Sequence, residues 1–401
     1  MPWKEIDVMD SRREFVMRLE AGARMTDVCR EYGISRKTGY KFLKRFKAFG
    51  EVGLADQSRR PHHVQYAVSE EMKARLLALK EKHPTWGAKK LRAYLQRVLP
   101  DVQIPAPSTI HNLLNRHGLV RRRKARKIVS VYPHRLRSSE SPNQVWCADF
   151  KGQFRLGNGR MCYPLTITDH FSRKILGCVA LHSIDTNDVR RVFQVMFDRY
   201  GVPEAIRTDN GSPFASRALA GLSRLSVWWL SLGIVPERIE RGHPEQNGRH
   251  ERMHRTLKAE ATRPASANLL AQQERFDSFV EEFNTIRPHE ALEMQVPDAV
   301  YQPSPTGAGP LPAHDVYALD DLSVVVDHDG RVRVPQLQLK FFISTVLEGQ
   351  AIGLRELQNG RWLVSFMRVS LGHFHPDTHS FQPMETYDYT QIISQQLQAV
   401  A

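Results

Sequence analysis

The sequence lacks any apolar run approaching the roughly 20 residues that a bilayer-spanning helix needs, which excludes a helical channel or transporter. Its first residues, Met1-Pro2-Trp3-Lys4-Glu5-Ile6-Asp7, include two acids and no apolar stretch, so no secretory signal is expected and the cytoplasm is the default compartment. Cysteine is scarce. Cys29, Cys147, Cys162 and Cys178 show no C-x-x-C spacing, which argues against a disulfide framework and a zinc module and leaves them as small buried residues. There is no low-complexity tract, and no repeat beyond two similar helical units near the start. What is there is a chain of 401 residues, too long for one ordinary core, so about two to four domains are expected.

Net charge is +14, and its placement says more than its size. Residues 1–127 hold 29 Lys and Arg against 13 Asp and Glu, a net of +16, which leaves the rest at −2. A basic front on a near-neutral body is the pattern of a polyanion-binding module attached to something else, although a merely soluble basic surface would give the same sum.

Within that front, residues 11–22 read as a helix with Phe15, Val16 and Leu19 on one side, and 25–32 as a second. Gly33 and Ile34 make a tight turn, and Ser35 is the N-cap of a third helix over 36–49. Helix, short Gly turn, helix is the helix-turn-helix spacing, here assigned to residues 1–55. Ile34, Phe42, Leu43 and Phe46 supply its core, and Arg36, Lys37, Tyr40 and Lys44 stay outside, where such a motif meets the major groove. An ordinary three-helix bundle with a solvated basic face would look the same. The connector Ser58-Arg59-Arg60-Pro61-His62-His63 is a plain linker or, through Arg59 and Arg60, a backbone contact.

A second unit, 65–127, repeats the plan with helices over 69–82, 87–99 and 108–117. Met72, Leu76 and Leu79 face inward, Pro105 and Pro107 force an extended entry, and Ser108 is the expected cap of the last helix. Thr109, Asn112 and Arg116 are its candidate DNA contacts, beside the exposed His111 and Asn115. Arg121, Arg122 and Arg123 open a charge run suited to phosphates. A purely structural bundle is the alternative reading.

From Asn143 the texture changes to short apolar runs. Val145–Phe150 reads as a strand, 161–168 and 174–182 as antiparallel partners with Gly157-Asn158-Gly159 as a hairpin turn, and 187–200 as a helix with Val192, Val195 and Met196 on its apolar face. Ala205–Asp209 is a strand, 214–232 a helix, 234–239 a short strand, and 272–286 another helix. This order predicts a mixed-sheet α/β domain over 140–302. A Pro/Gly linker over 303–313 precedes alternating stretches at 322–326, 332–340 and 362–369, with an Asp329-Gly330 turn, which suggest a small β-barrel over 314–385 without a catalytic constellation.

The stretch from Gly242 to Lys258 begins as a Gly/Pro loop and becomes a basic helix, with Asn247 as its candidate N-cap. Glu251 shares a face with His254, Arg255 and Lys258, while Met253 and Leu257 face a core. Alone, Glu251 and Arg255 would be a surface pair. Asp149 ends one strand, however, and Asp209 ends another. If these elements are neighbours, three carboxylates converge, and a divalent cation with hard oxygen preference, Mg²⁺ or Mn²⁺, resolves their repulsion. Two such ions about 3.5–4 Å apart support in-line phosphodiester displacement.

Trp146-x-x-Asp149, Thr208-Asp209-Asn210-Gly211 and Pro244-x-x-x-Gly248-x-x-Glu251 resemble the DDE core of retroviral-type integrases and bacterial insertion-sequence transposases. Phe283-Asn284-Thr285-Ile286-Arg287-Pro288-His289-Glu290-Ala291-Leu292 resembles the segment that closes that core in the bacterial members. The resemblance covers roughly residues 140–300. It implies an RNase H-like core with Asp149, Asp209 and Glu251 as catalytic metal ligands for two Mg²⁺ ions, with Mn²⁺ able to substitute. It further implies cleavage of transposon ends and their joining to target DNA, with Arg255 and Lys258 at DNA-contacting positions. The implied partners are double-stranded DNA, as ends and as target, and further copies of the chain in a homodimer or larger assembly; the implied place is the nucleoid.

Two departures matter. The 41 residues between Asp209 and Glu251 exceed the retroviral spacing, which suggests a longer helix before the glutamate loop. No His/Cys zinc module precedes the core, which favours a transposase over a viral integrase. A catalytically silent DNA-binding regulator of the same descent is the alternative, and a structure-directed nuclease a third reading.

Overall fold

The computed structural model describes residues 7–56, 68–120 and 136–384, apart from 217, 241, 308, 310–315, 318, 319, 335–338, 359 and 368. The chain forms two compact units, Met1–Ser69 and Glu70–Ala401. Among the described residues no helix is long and apolar enough to cross a membrane.

The first unit holds α1 (Val8–Glu20), α2 (Met25–Glu31) and α3 (Arg36–Phe49). Ser35 caps α3 as expected, its hydroxyl accepting from Thr38 N. Phe15, Val16, Val28, Cys29 and Phe42 form the core, with Ile34, Leu43 and Phe46 packed partly buried against it. Gly39 lies where a Cβ would stand 2.7 Å from Cys29 Sγ, so glycine permits the close crossing of α3 over α2.

In the second unit α4 (Glu70–Lys82), α5 (Ala88–Val98) and α6 (Pro107–Arg116) repeat the three-helix plan. The cap of α6 is Ala106 rather than Ser108. Pro107 occupies the first helical position, where its fixed φ and missing N–H cost nothing, and this moves the helix start forward. One side of this bundle docks on the end of the core: His83 Nδ1 lies 2.8 Å from Glu282 Oε1, Arg97 donates to the Ile286 carbonyl at 2.8 Å, and Lys89 pairs with Glu290.

The core sheet comprises β1 (Val145–Phe150), β2 (Phe154–Arg155), β3 (Met161–Asp169), β4 (Ile175–Leu181), β5 (Ala205–Thr208) and β6 (Val235–Arg238). β3 pairs antiparallel with both β1 and β4, while β1, β5 and β6 run parallel. Trp146 and Ala148 face α7 (Thr186–Tyr200), whose buried side holds Val189, Phe193, Met196 and Phe197; Val195, expected inside, is exposed. Val145 and Cys147 point the other way, into a core shared with the C-terminal sheet.

The expected long helix over 214–232 is only α8 (Arg224–Ser231). Ser223 and Ser226 form a reciprocal capping box that starts it late, so the extra length between Asp209 and Glu251 lies in irregular chain rather than in a longer helix. α9 (Gly248–Glu260) and α10 (Leu269–Glu281) cover the face opposite α7, burying Met253, Leu257, Phe276 and Phe279. All four cysteines are free and buried.

After α10 the chain makes one π-helical turn, Glu282–Ile286. Asn284 lies buried in it, accepting from Ile175 N and donating to Ile175 O, both at 2.9 Å. It thus substitutes for a missing strand partner at the edge of β4. Asn284→Ala should cost about 1–3 kcal/mol for each backbone group left unpaired, read as a lowered urea midpoint with an unchanged slope. An unchanged midpoint would remove this role.

The C-terminal region is a five-stranded antiparallel sheet of β7 (Leu322–Val325), β10 (Ala351–Glu356), β11 (Trp362–Phe366), β12 (Val369–His375) and β13 (Ser380–Pro383), beside a hairpin of β8 (Arg331–Val334) and β9 (Leu339–Phe342). The stretch 332–340, read as one strand, contributes to both β8 and β9. Among the described residues no pairing closes this sheet into a barrel.

Candidate active site

β1 and β5 lie side by side in parallel, with Val145 opposite Ala205 and Cys147 opposite Arg207. Continuing that register by two residues sets Asp149 against Asp209, about one strand spacing of 4.8 Å away, at the carboxyl ends of both strands. Open α/β sheets bind ligands at that end. Asp209 follows the last residue of β5; its Oδ1 accepts from Gly211 N at 3.0 Å, and a Cβ on Gly211 would stand 3.1 Å from Oδ2, so glycine keeps that oxygen clear.

Glu251 comes from the first turn of α9, which crosses the same face of the sheet. Burial, then the charge of Asp209, and further down that of Glu251, push the Asp149 carboxyl up to about 7. Among the described residues no Lys or Arg forms an ion pair with any of the three. The charges of Asp209 and Glu251 thus bear on Asp149, and the Phe150 N–H and the charge of Lys151 offset them only in part.

Two threonines and two histidines hold α9 against β3. Thr166, paired in register with Asp149, donates its hydroxyl proton to the Asp149 carbonyl at 2.9 Å. A carbonyl can only accept, so that proton is committed, and the His250 Nε2 (2.8 Å) and His254 Nε2 (2.6 Å) atoms must both donate to the Thr166 oxygen. Nδ1 of His250 then accepts from Thr168 at 2.8 Å. His254 is left with a lone pair on Nδ1, 3.6 Å from Asp149 Oδ2. Burial lowers His250 to about 3 and His254 to about 2, so both rings are neutral.

Asp149, His250 and His254 have ligand atoms within 4.8 Å of one another, a grouping that by type alone could hold a metal. Both nitrogens of His250 are taken by threonines, however, which removes it as a ligand. The oxygen donors of Asp149, Asp209 and Glu251 could hold a hard divalent cation: both other acids push Asp149 up, no Lys or Arg forms an ion pair with the three among the described residues, and Asp209 Oδ2 is kept clear.

Sequence reasoning placed His254 among the cations facing Glu251; it is instead buried and neutral. It also missed the threonine–histidine network, for which the signals were available: Thr166-x-Thr168 shares one face of a strand, and His250-x-x-x-His254 one face of a helix. Asn247 precedes α9 as expected but makes no side-chain cap bond. A 3-10 turn, Pro244–Asn247, runs straight into the helix and leaves its backbone at φ −110°, ψ 20°, outside the extended cap geometry; Oδ1 is buried without a described partner. No ion pair joins Glu251 to Arg255 among the described residues.

Of the candidate DNA contacts, Arg36, Lys37, Tyr40 and Lys44 are exposed on α3, Thr109, Asn112 and Arg116 on α6, and Arg255 and Lys258 on α9. Arg59, Arg60, Arg121, Arg122 and Arg123 lie outside the described residues.

Known families share the domain plan. Two Integrase core domain models match, over residues 139–244 and 232–297; a Helix-turn-helix domain model matches 11–62 and a Homeodomain-like domain model 38–114. The chain is 30% identical over 231 residues to the insertion element IS407 uncharacterized 31.7 kDa protein of Burkholderia multivorans, covering 57% of this chain and 80% of the relative. It is 29% identical over 259 residues to the insertion element IS476 uncharacterized 39.2 kDa protein of Xanthomonas euvesicatoria, covering 64% and 72%. Among solved structures, the HTLV-2 integrase catalytic core domain in complex with magnesium aligns over 41% of this chain and all of its own, at 14% identity and a TM-score of 0.30.

The matched families define a nucleic-acid-processing enzyme with helix-turn-helix DNA-binding domains and an integrase-type core. The chain belongs to the DDE transposases of bacterial insertion sequences.

Proposed function

We propose that the protein binds the terminal repeats of its element, cleaves the ends, and joins the 3′-hydroxyls to target DNA, with Asp149, Asp209 and Glu251 as the catalytic carboxylates. The observation that carries the reading is the register of β1 and β5, which brings two aspartates sixty residues apart to one strand end, with Glu251 acting on the first of them. Bound there, two Mg²⁺ ions, or Mn²⁺ in their place, would supply Lewis-acid activation of the attacking oxygen and stabilisation of the leaving one.

The protein's own groups do the rest. Thr166 fixes the Asp149 backbone, and His254, neutral and locked by Thr166, presents a lone pair rather than a proton to that carboxylate, leaving its oxygens free to serve as ligands. Arg255 and Lys258 lie further along α9, exposed to contact DNA. Residues 1–55 and 65–127 act as the two DNA readers, 140–302 as the catalytic core and 314–385 as an accessory domain. Two ends must be held together, so the active form is a dimer or larger assembly.

Purified protein with terminal-repeat DNA, a target plasmid and Mg²⁺ tests the reading. Joined product that disappears on chelation is expected; binding without cleavage or joining would favour the silent regulator, and hydrolysis without joining a nuclease. Separately, replacing both Arg36 and Lys37 with alanine should weaken end binding about tenfold and flatten its salt dependence by close to 2 logarithmic slope units, if each contacts one phosphate. Unchanged end affinity would move the reading surface elsewhere.

A further inference from the structure

Beside the histidine network, at the start of α9, guanidinium groups gather around a single residue, His170. Arg249 Nη1 lies 3.1 Å from His170 Nδ1 and donates to the His170 carbonyl at 3.2 Å. Arg173 donates to the same carbonyl, and Arg207 Nη1 stands 3.4 Å from His170 Nε2. Arg252 follows Arg249 by three positions on the helix and is exposed.

The nearby acids balance them only in part, Asp169 offsetting some of the charge on Arg173. Glu237 is committed to Arg207 through Oε2, at 2.9 and 3.1 Å, with both side chains buried. Asp169, also buried, accepts from Asn143 N at 2.8 Å through Oδ1, and through Oδ2 from Ser172 N at 2.7 Å and Ser172 Oγ at 2.6 Å. Among the described residues Arg173, Arg249 and Arg252 have no carboxylate partner. Burial, then the charges of Arg249 and Arg252, bring Arg173 down to about 10, while burial and the surrounding guanidiniums hold His170 near 2. The logic is that of the carboxylate cluster with the sign reversed: like charges held together in partial burial favour an anion.

Its position limits which anion. Arg207 is registered with Cys147, two residues before Asp149 on the same face of the sheet, and His170 bonds to the Val145 carbonyl. Arg207 and His170 thus stand roughly 7–13 Å from Asp149, at 3.3 Å per strand residue, and Arg249 and Arg252 flank Glu251 on α9, so the cluster lies within about two to four nucleotides of the carboxylate row along a DNA strand.

We propose that Arg173, Arg249 and Arg252 form a phosphodiester-binding shelf beside the catalytic carboxylates, occupied by the backbone of the DNA strand being processed. The shelf rests on the transposase reading for its ligand, and Arg forks suit phosphate bidentately.

The test uses the full-length protein and the variants Arg252→Gln, Arg249→Gln and their combination, with Arg249→Lys as the conservative partner and exposed Arg191→Gln on α7 as a charge control. End cleavage and joining are measured separately across a salt series, together with DNA binding. The combined variant should need about tenfold more DNA, with the logarithmic salt slope less steep by about 0.9 for each phosphate that is no longer bound; Arg191→Gln should leave both unchanged. Arg252 is exposed, so its replacement reads the charge without disturbing the fold.

Joining lost with cleavage retained assigns the phosphodiester to target DNA, and both lost assigns it to the transposon end; either supports the shelf. Unchanged slope and DNA requirement in the folded double variant would overturn it. A natural chain that neither cleaves nor joins would defeat the functional reading instead, and the salt slope of DNA binding by the same variants would still decide the shelf.

Discussion

Asp149→Asn, without divalent cations, should be more stable at neutral pH than the natural protein while joining no DNA. The folded Asp149 carboxyl titrates at about 7, against an ordinary value of 3.8. Between those values the folded state retains a proton that the unfolded chain has released, so stability is fully present below the ordinary value and falls as pH rises toward 7. At about 1.4 kcal/mol per pH unit, the loss by neutral pH is of the order of a few kcal/mol. Asparagine carries no charge to desolvate and escapes this loss.

Thermal unfolding from pH 4 to 8 should therefore show the two proteins diverging as pH rises. Mg²⁺ should raise the midpoint of the natural chain and leave that of the variant nearly unmoved. Joining by Asp149→Asn, Asp209→Asn or Glu251→Gln should fall about 1,000-fold or more, as several kcal/mol of transition-state stabilisation disappear, with end binding largely kept. Normal turnover by any of the three would refute the assignment, and a metal-free Asp149→Asn less stable than the natural chain would refute its electrostatic basis.

Loss of Glu237 should produce the largest purely structural effect. Its carboxylate is the only ion-pair partner described for the buried Arg207, whose other guanidinium contacts are His170 and the Arg137 carbonyl, at 2.7 Å. Glu237→Gln would leave a guanidinium buried and unneutralised beside further arginines, at a cost of about 3–5 kcal/mol. Replacing both partners, Arg207→Met with Glu237→Leu, should recover most of that loss, because no charge then remains to desolvate. Urea unfolding of Arg207→Met, Glu237→Leu and the double variant completes the cycle; a loss below about 1 kcal/mol in Glu237→Gln would show that water already reaches the pair.

Legibility in the sequence followed the range of the forces involved. Ser35 as cap, α3 from Arg36 to Phe49 and β1 from Val145 to Phe150 were readable to the residue, because caps and strand patterns are local. The carboxylates were readable as candidates, but what unites Asp149 with Asp209 is a parallel pairing between segments sixty residues apart, which no local pattern encodes. The region 214–232 misled because apolar residues around Trp228 and Trp229 suggest a long helix, whereas the Ser223–Ser226 box starts it only at Arg224. His254 misled because spacing on a helix shows which residues share a face but not that Thr166 waits beneath it. The arginine cluster behind the shelf was invisible for the same reason: Arg173, Arg207 and Arg249 come from three separate segments and meet only at His170.

The central claim is that the divalent-ion site is built by Asp149, Asp209 and Glu251 rather than by the neighbouring histidines. Anomalous diffraction from crystals soaked in Mn²⁺ tests it directly. Peaks are expected within ligand distance of carboxylate oxygens of Asp149, Asp209 and Glu251, with His250 still bonded to Thr166 and Thr168. A peak held by His250 and His254 with Asp149, leaving Asp209 and Glu251 uninvolved, would contradict it.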